Sequence, residues 1–188
     1  MIGPSFPAVL AAAQQGDEES FAVLWRDLQP GVLRYLRVVA PAAVEDLAAE
    51  TWVSVIRGLR QFRGNEREFR GWVFTAARHR SVDWQRQAAR RRVEPLPVEL
   101  FTDRPATDDP AGAALEAVST RWAMSLIATL PPDQAEVIML RVVAGLDVAD
   151  VARIIGKRPG TVRVLAHRGL RRLAQRLAAG DLPRSVTR

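Results

Sequence analysis

Along this chain apolar residues recur at intervals of three and four, the spacing of one face of an α-helix, and the intervals break at glycines, prolines and short polar runs. The pattern is clearest from Gly145 onward. Asp147 suits a helix N-cap, with Asp150 three residues on beside the same unsatisfied N–H groups. Val148, Val151, Ala152, Ile154 and Ile155 follow at helical spacing, and Gly156 marks the stop. Pro159 suits the first position of a second helix, because its φ is already helical and its missing N–H would have had no partner there. In that helix Val162, Leu165, Gly169, Leu170, Leu173 and Leu177 make the stripe expected to be buried, and Thr161, Arg163, Val164, His167, Arg168 and Arg171 make the opposite face.

The first half of the chain follows the same rule. Phe6 to Ala13 is a short apolar segment to which no role is assigned. Asp17, Glu18 and Glu19 open a helix with acids where its dipole favours them, and Phe21, Leu24, Trp25 and Leu28 supply the apolar stripe. Pro30 and Gly31 predict an interruption before Val32, Leu33, Tyr35, Leu36 and Val39 continue as a second helix. Pro41 starts the next, whose apolar face is Val44, Leu47, Ala48, Thr51, Trp52, Val55, Ile56 and Leu59. Gln61 to Glu68 is a polar break centred on Gly64 and Asn65, and Phe69 begins a long helix that runs to Arg92. That helix interleaves Trp72, Phe74 and Trp84 with arginines, which serves either a core or the stacking of single-stranded bases. Trp72 and Trp84 are expected to be at least partly buried.

Charge narrows the partners. The net charge of +6 resolves into −2 over residues 1 to 60, +6 over 61 to 92, −5 over 93 to 116, −2 over 117 to 150 and +9 over 151 to 188. Between Asp150 and Asp181 there is no acid, yet Arg153, Lys157, Arg158, Arg163, Arg168, Arg171, Arg172 and Arg176 all lie there. Solvated helix faces usually mix signs at i, i+4, so a wholly cationic face suits a polyanion. Two short helices across a glycine turn are the helix-turn-helix arrangement, whose second helix enters the major groove of DNA.

The acidic stretch carries Pro95, Pro97, Pro105 and Pro110 without apolar periodicity and reads as a linker. The expected map is an N-terminal segment 1–16, a helical domain 17–92, a linker 93–112, a second helical domain 113–178 and a tail 179–188, an all-α protein of two small domains. With no cysteine and two isolated histidines, disulfides and thiolate metal sites are excluded, and neither a metal nor a cofactor is expected. Glu45, Asp46 and Glu50 could suggest acid–base chemistry, but nothing completes such a site, so no catalytic residue is assigned. No apolar run is long enough to span a bilayer, and the start lacks a signal peptide's basic residues, which predicts a cytoplasmic protein without direct membrane insertion.

Three stretches resemble the extracytoplasmic-function group of bacterial sigma factors. Residues 45–52, EDLAAETW, are similar to that family's D-L-x-Q-E-T-F signature, and residues 69–84, FRGWVFTAARHRSVDW, to its F-R-x-W-L-x-x-I-A-R-N-x-x-x-D helix. Residues 130–141, LPPDQAEVIMLR, and Gly160 through Arg168 match the C-terminal patterns L-P-x-x-x-R-E-V-x-x-L-R and G-T-V-x-S-R. The resemblance covers about residues 17 to 178 in the correct order.

It implies docking of the third helix on the β′ clamp helices of core RNA polymerase through Asp46, Leu47, Glu50 and Trp52, and of the C-terminal domain on the β flap. It implies capture and melting of minus 10 promoter DNA by Arg63, Gly64, Asn65, Trp72, Arg78, His79, Arg80, Asp83 and Arg86. Reading of the minus 35 element falls to Arg158, Thr161, Arg163, Val164, His167, Arg168 and Arg171, with Arg158 and Arg168 on phosphates. The resemblance further implies an anti-sigma factor as partner, and association with the nucleoid or, through that partner, with the membrane. Ala49 and His79 stand where the family has glutamine and asparagine, and Arg158 and Val164 where serines are common. The other reading of the residues is a helix-turn-helix regulator that binds DNA without polymerase.

Overall fold

A computed structural model describes residues 1–91 and 120–179 of the chain, and over these it is built of helices. The first half holds α1 (Phe6–Gln14), α2 (Glu18–Val39), α3 (Val44–Leu59) and α4 (Glu66–Arg91). The second holds α5 over residues 120–128, α6 (Pro132–Ile138), α7 (Val148–Ile155) and α8 (Pro159–Ala178). The stretch expected to be a linker, 93–112, and all but the first residue of the tail lie outside the described residues.

Local chemistry sets most of the boundaries. Asp17 caps α2, its carboxylate accepting the Ser20 N–H at 2.8 Å. The helix then runs unbroken through Pro30 and Gly31, against the interruption their sequence predicts. Proline removes one backbone hydrogen bond, but Leu24, Leu28, Val32, Tyr35 and Leu36 are buried on both sides of it, and that common apolar seam outweighs the loss.

α4 starts at Glu66 instead of Phe69, because Asn65 and Glu68 cap each other. The Asn65 side-chain oxygen accepts the Glu68 N–H at 3.0 Å, and the Glu68 carboxylate accepts the Asn65 N–H at 2.8 Å. The break is thereby shortened to Gln61–Asn65.

Packing corrects four assignments to the core. Trp25, Ile56 and the pair Leu170 and Leu177 are 39%, 53%, 51% and 52% exposed. In α8 the buried line is Val162 and Gly169, with Leu165 and Leu173 half-buried, and Leu170 lies about 100° round the helix from Gly169. Gly169 permits a close seat on α6, since a Cβ there would fall 2.6 Å from Ile138 Cδ1.

Both halves share one continuous apolar core. α2 packs on α6 and on the widened π turn Met139–Val143 that follows it, while α4 packs on α7. Tyr35, Phe69, Phe74, Leu140 and Leu146 are among its fully buried side chains.

Candidate functional site

The helix-turn-helix is assembled from short-range chemistry. Asp147 caps α7 through the Asp150 N–H at 2.8 Å, Gly156 ends it in the left-handed region at φ +67°, and Pro159 opens α8. Arg158, Thr161, Arg163, Val164, His167, Arg168 and Arg171 are all exposed.

The cations around this unit divide into two sets. Arg153 is bonded to Asp150, Lys157 to Asp133 at 2.9 Å, Arg172 to Gln134 at 2.9 Å, and Arg176 to Thr129. Arg158, Arg163, Arg168 and Arg171 have no side-chain partner among the described residues. Four guanidinium forks with every donor unspent, one at the N-cap of α8 and three on its exposed surface, are what bidentate recognition of phosphate or guanine requires.

α3 sorts its residues by face. Asp46 and Glu50 are exposed, but Leu47 and Trp52 are 3% and 6% exposed, and the Trp52 indole N–H donates to Gln29 at 2.6 Å. Their side chains fasten α3 to the core and do not stand beside the carboxylates. The outward apolar positions are Ala49, Val53 and Ile56, of which Val53 is 44% exposed. The motif reading passed over Val53 and placed Ile56 inside. The signal was there in the spacing, because Asp46, Ala49, Glu50 and Val53 stand at i, i+3, i+4 and i+7 and so share one face.

The residues expected at minus 10 DNA do not form one uniform surface. Arg63, Gly64 and Asn65 are exposed at the loop tip, with the Arg63 guanidinium turned back onto the carbonyls of Arg60 and Phe62 at 2.9 and 2.7 Å. Asn65 spends its side-chain oxygen on the cap of α4. Trp72 is half-buried and stacked on Phe62, with ring centres 5.1 Å apart. Trp84 is also half-buried. His79, Asp83 and Arg86 are exposed, whereas Arg80 donates to Ser54 at 2.6 Å and lies 4.0 Å from Glu50. An open groove between α3 and α4 brings Glu50, Arg80, Asp83, Trp84 and Arg90 together.

Arg78 lies elsewhere, at the seam between the halves. Glu136 of α6 accepts its Nε–H at 2.9 Å and the Tyr35 hydroxyl at 3.0 Å. Burial first, then the charge of Glu136, pushes the Tyr35 phenol well above its ordinary range, so it stays a neutral donor. A second bridge joins Arg67 of α4 to α7, donating to Asp150 at 2.8 Å and bonding Asp147 as well. The Asp150 backbone N–H and the Arg67 charge hold the Asp147 carboxyl below the usual range. The hydrogen bond and charge of Asp150 raise the Arg67 guanidinium. Neither Glu136 nor Arg67 was picked out as a site residue by sequence, since each finds its partner 58 or more residues away. Among the described residues no three His, Asp or Glu side chains gather where a metal could be held.

Comparison with known proteins agrees with this architecture. The family model described as Sigma-70 region 2 matches residues 24–91, and that described as Sigma-70, region 4 matches residues 120–173. The ECF RNA polymerase sigma factor SigD of Mycobacterium tuberculosis is 33% identical over 96% of this chain and 88% of its own. ShbA of Streptomyces griseus, also an ECF RNA polymerase sigma factor, is 36% identical over 88% and 92%. Among solved structures, the sigma factor RpoE of Bartonella quintana, in complex with the anti-sigma factor NepR, has a TM-score of 0.66 at 20% identity, covering 85% of this chain and 98% of that one. CnrH, in complex with the cytosolic domain of CnrY, has a TM-score of 0.59 at 21% identity over 92% and 96%. At such identities the two structures speak for the fold. Family models, relatives and helix order together place this chain in the extracytoplasmic-function (ECF) sigma factors of RNA polymerase, the initiation factors that direct the enzyme to particular promoters.

Proposed function

We propose that this sigma factor divides promoter recognition between its halves. Residues 113–178 read minus 35 duplex through Arg163, Val164 and His167, with Arg158, Arg168 and Arg171 on phosphates and Thr161 at the start of the helix. Residues 17–92 dock on the β′ clamp helices and hold the melted minus 10 strand, with the intervening residues as connector. The observation that carries this reading is the sorting of charge on the helix-turn-helix. Cations off the reading face are paired within the protein, and those on it are left without partners.

The polymerase-facing surface is Asp46, Ala49, Glu50, Val53 and Ile56 on α3, with Leu47 and Trp52 supporting it from beneath. A helix-turn-helix regulator acting alone would leave that mixed acidic and apolar face without purpose. The chain acts as a binding factor and not as an enzyme, and it works in the cytoplasm at the nucleoid. No helix among the described residues is long and apolar enough to cross a membrane, so membrane association would come through an anti-sigma partner. The structure of RpoE with the anti-sigma factor NepR, similar in fold, supports such a partner here. The C-terminal half contacts the β flap.

Run-off transcription with purified core polymerase on genomic promoter fragments tests the whole reading. Specific transcripts are expected only when core and this chain are both present. Tight, sequence-specific duplex binding by the chain alone, with no transcript when core is added, would overturn it.

A further inference from the structure

The segment ahead of α2 has no part in the readings above, yet it is tied to the loop Gln61–Asn65 from two directions. Gln14, the last residue of α1, donates its side-chain amide to the carbonyls of Leu59 and Phe62, both at 2.9 Å. Both neighbours can only accept, so the amide nitrogen and not its oxygen must face them. Leu59 ends α3, where the closing carbonyls of a helix have no partner within it. Phe62 carries the loop, and its carbonyl also accepts the Arg63 guanidinium at 2.7 Å, so Gln14 and the loop's own arginine converge on one oxygen.

At the far end of the loop, Glu66 accepts the backbone N–H groups of Ile2 and Gly3 at 2.7 and 3.0 Å. Phe6, buried at the start of α1, packs on Phe69 with ring centres 5.7 Å apart, and Phe69 meets Phe62 edge-on at 5.3 Å. Backbone and ring of Phe62 are thus held by different partners, the carbonyl by Gln14 and the ring by the stacked Trp72.

We propose that Gln14 is a positioning residue for base selection, and that α1 exists to hold it. The proposal rests on the loop Gln61–Asn65 being the receiver of the unpaired minus 10 base. Such a base is read by donors and acceptors at fixed places along its edge, and a glycine-centred loop keeps those places only as well as its ends are fixed. Without Gln14 the Phe62 carbonyl loses one of its two donors, and the loop spreads over several shapes that fit the wrong base as well as the right one. Affinity falls less, because Arg80 and Arg86 of α4 lie outside the loop.

The test uses holoenzyme reconstituted from the full chain and core polymerase, with single-stranded oligonucleotides carrying the minus 10 strand of a promoter that the parent transcribes. The position at which the parent discriminates most is found by base scanning. Gln14→Met keeps length and shape without a donor. It should bind core as the parent does yet discriminate about tenfold less, the scale of one to two net hydrogen bonds. Gln14→Lys, which restores a donor, should regain most of that ratio. Undiminished discrimination by the Met variant overturns the proposal. If the Met variant fails to fold, the Lys variant decides: folded and selective, it supports Gln14 as the donor; folded and unselective, it overturns it. A third protein, with residues 63–65 replaced by Gly and Ser and Glu66 and Arg67 left in place, separates the two levels. If it loses discrimination while Gln14→Met keeps it, the loop is the reader and Gln14 is not its brace. If it too keeps discrimination, the loop reading falls and takes the proposal with it.

Discussion

Arg163 and Arg168 stand five residues apart on α8, both exposed and both without partners among the described residues, yet helix geometry turns them about 140° from each other. They are therefore expected to differ in kind. Arg163→Ala should cost about 1 to 3 kcal/mol and relax preference at one base pair of the minus 35 element, the loss of a bidentate pair with guanine. Arg168→Ala should weaken all promoters alike and lower the salt slope by about one. Binding of holoenzyme to a panel of single-base minus 35 variants, at two salt concentrations, distinguishes them. A uniform loss for both would make Arg163 a phosphate contact. Val164, 47% exposed between these arginines, gives that face an apolar spot of the kind that meets a thymine methyl.

At the scale of the element, α3 shows what a motif conveys and what it omits. The stretch EDLAAETW lies on one helix, as its spacing predicts, but a linear motif does not say which of its residues point out. Leu47 and Trp52 belong to the fold, and Val53 and Ile56 belong to the surface. Val53→Asp with Ile56→Asp should abolish co-purification with core polymerase at unchanged helicity, as should Asp46→Arg with Glu50→Arg, since each spoils a docking face and leaves the buried side of α3 intact. Leu47→Ala should instead destabilise the protein by about 2 to 5 kcal/mol. Circular dichroism melts beside pull-downs check all three, and retained core binding by both surface pairs would move the docking face off α3.

Helices, caps and the glycine turn were legible because they are decided within four residues, as at Asp147 and Gly156. The Asn65–Glu68 cap was equally local and could have been read from its N-x-x-E spacing. Helix continuity across Pro30 could not, nor could the tasks of Glu136, Arg67 and Gln14, because each depends on a partner distant in sequence.

For the molecule as a whole, the seam sets a geometric conflict. Arg67 touches α7 directly, and the reading face of α8 lies only on the order of 25 Å beyond that contact. Minus 10 and minus 35 elements are about 25 base pairs apart, on the order of 80 Å of duplex. The proposed division of promoter recognition therefore requires the halves to part, and the chain between residues 91 and 120, fully extended, reaches roughly 90 Å. The chain has no cysteine of its own, so Arg67→Cys with Asp147→Cys introduces the only two thiols. Joined by a short bis-maleimide, this protein should lose run-off transcription by about tenfold or more relative to the same double variant left unjoined, which bears the loss of the Asp147 cap equally. Full activity of the joined form would mean that the packed arrangement is the working one.

Parting the halves also uncovers apolar surface now shared between them, such as Leu146 where it faces Gly71 of α4. Exposing such surface raises heat capacity, whereas burying α3 on polymerase lowers it. Calorimetry of holoenzyme assembly should then register only the difference between the two, and a variant whose seam is already open should bind core with the more negative heat-capacity change.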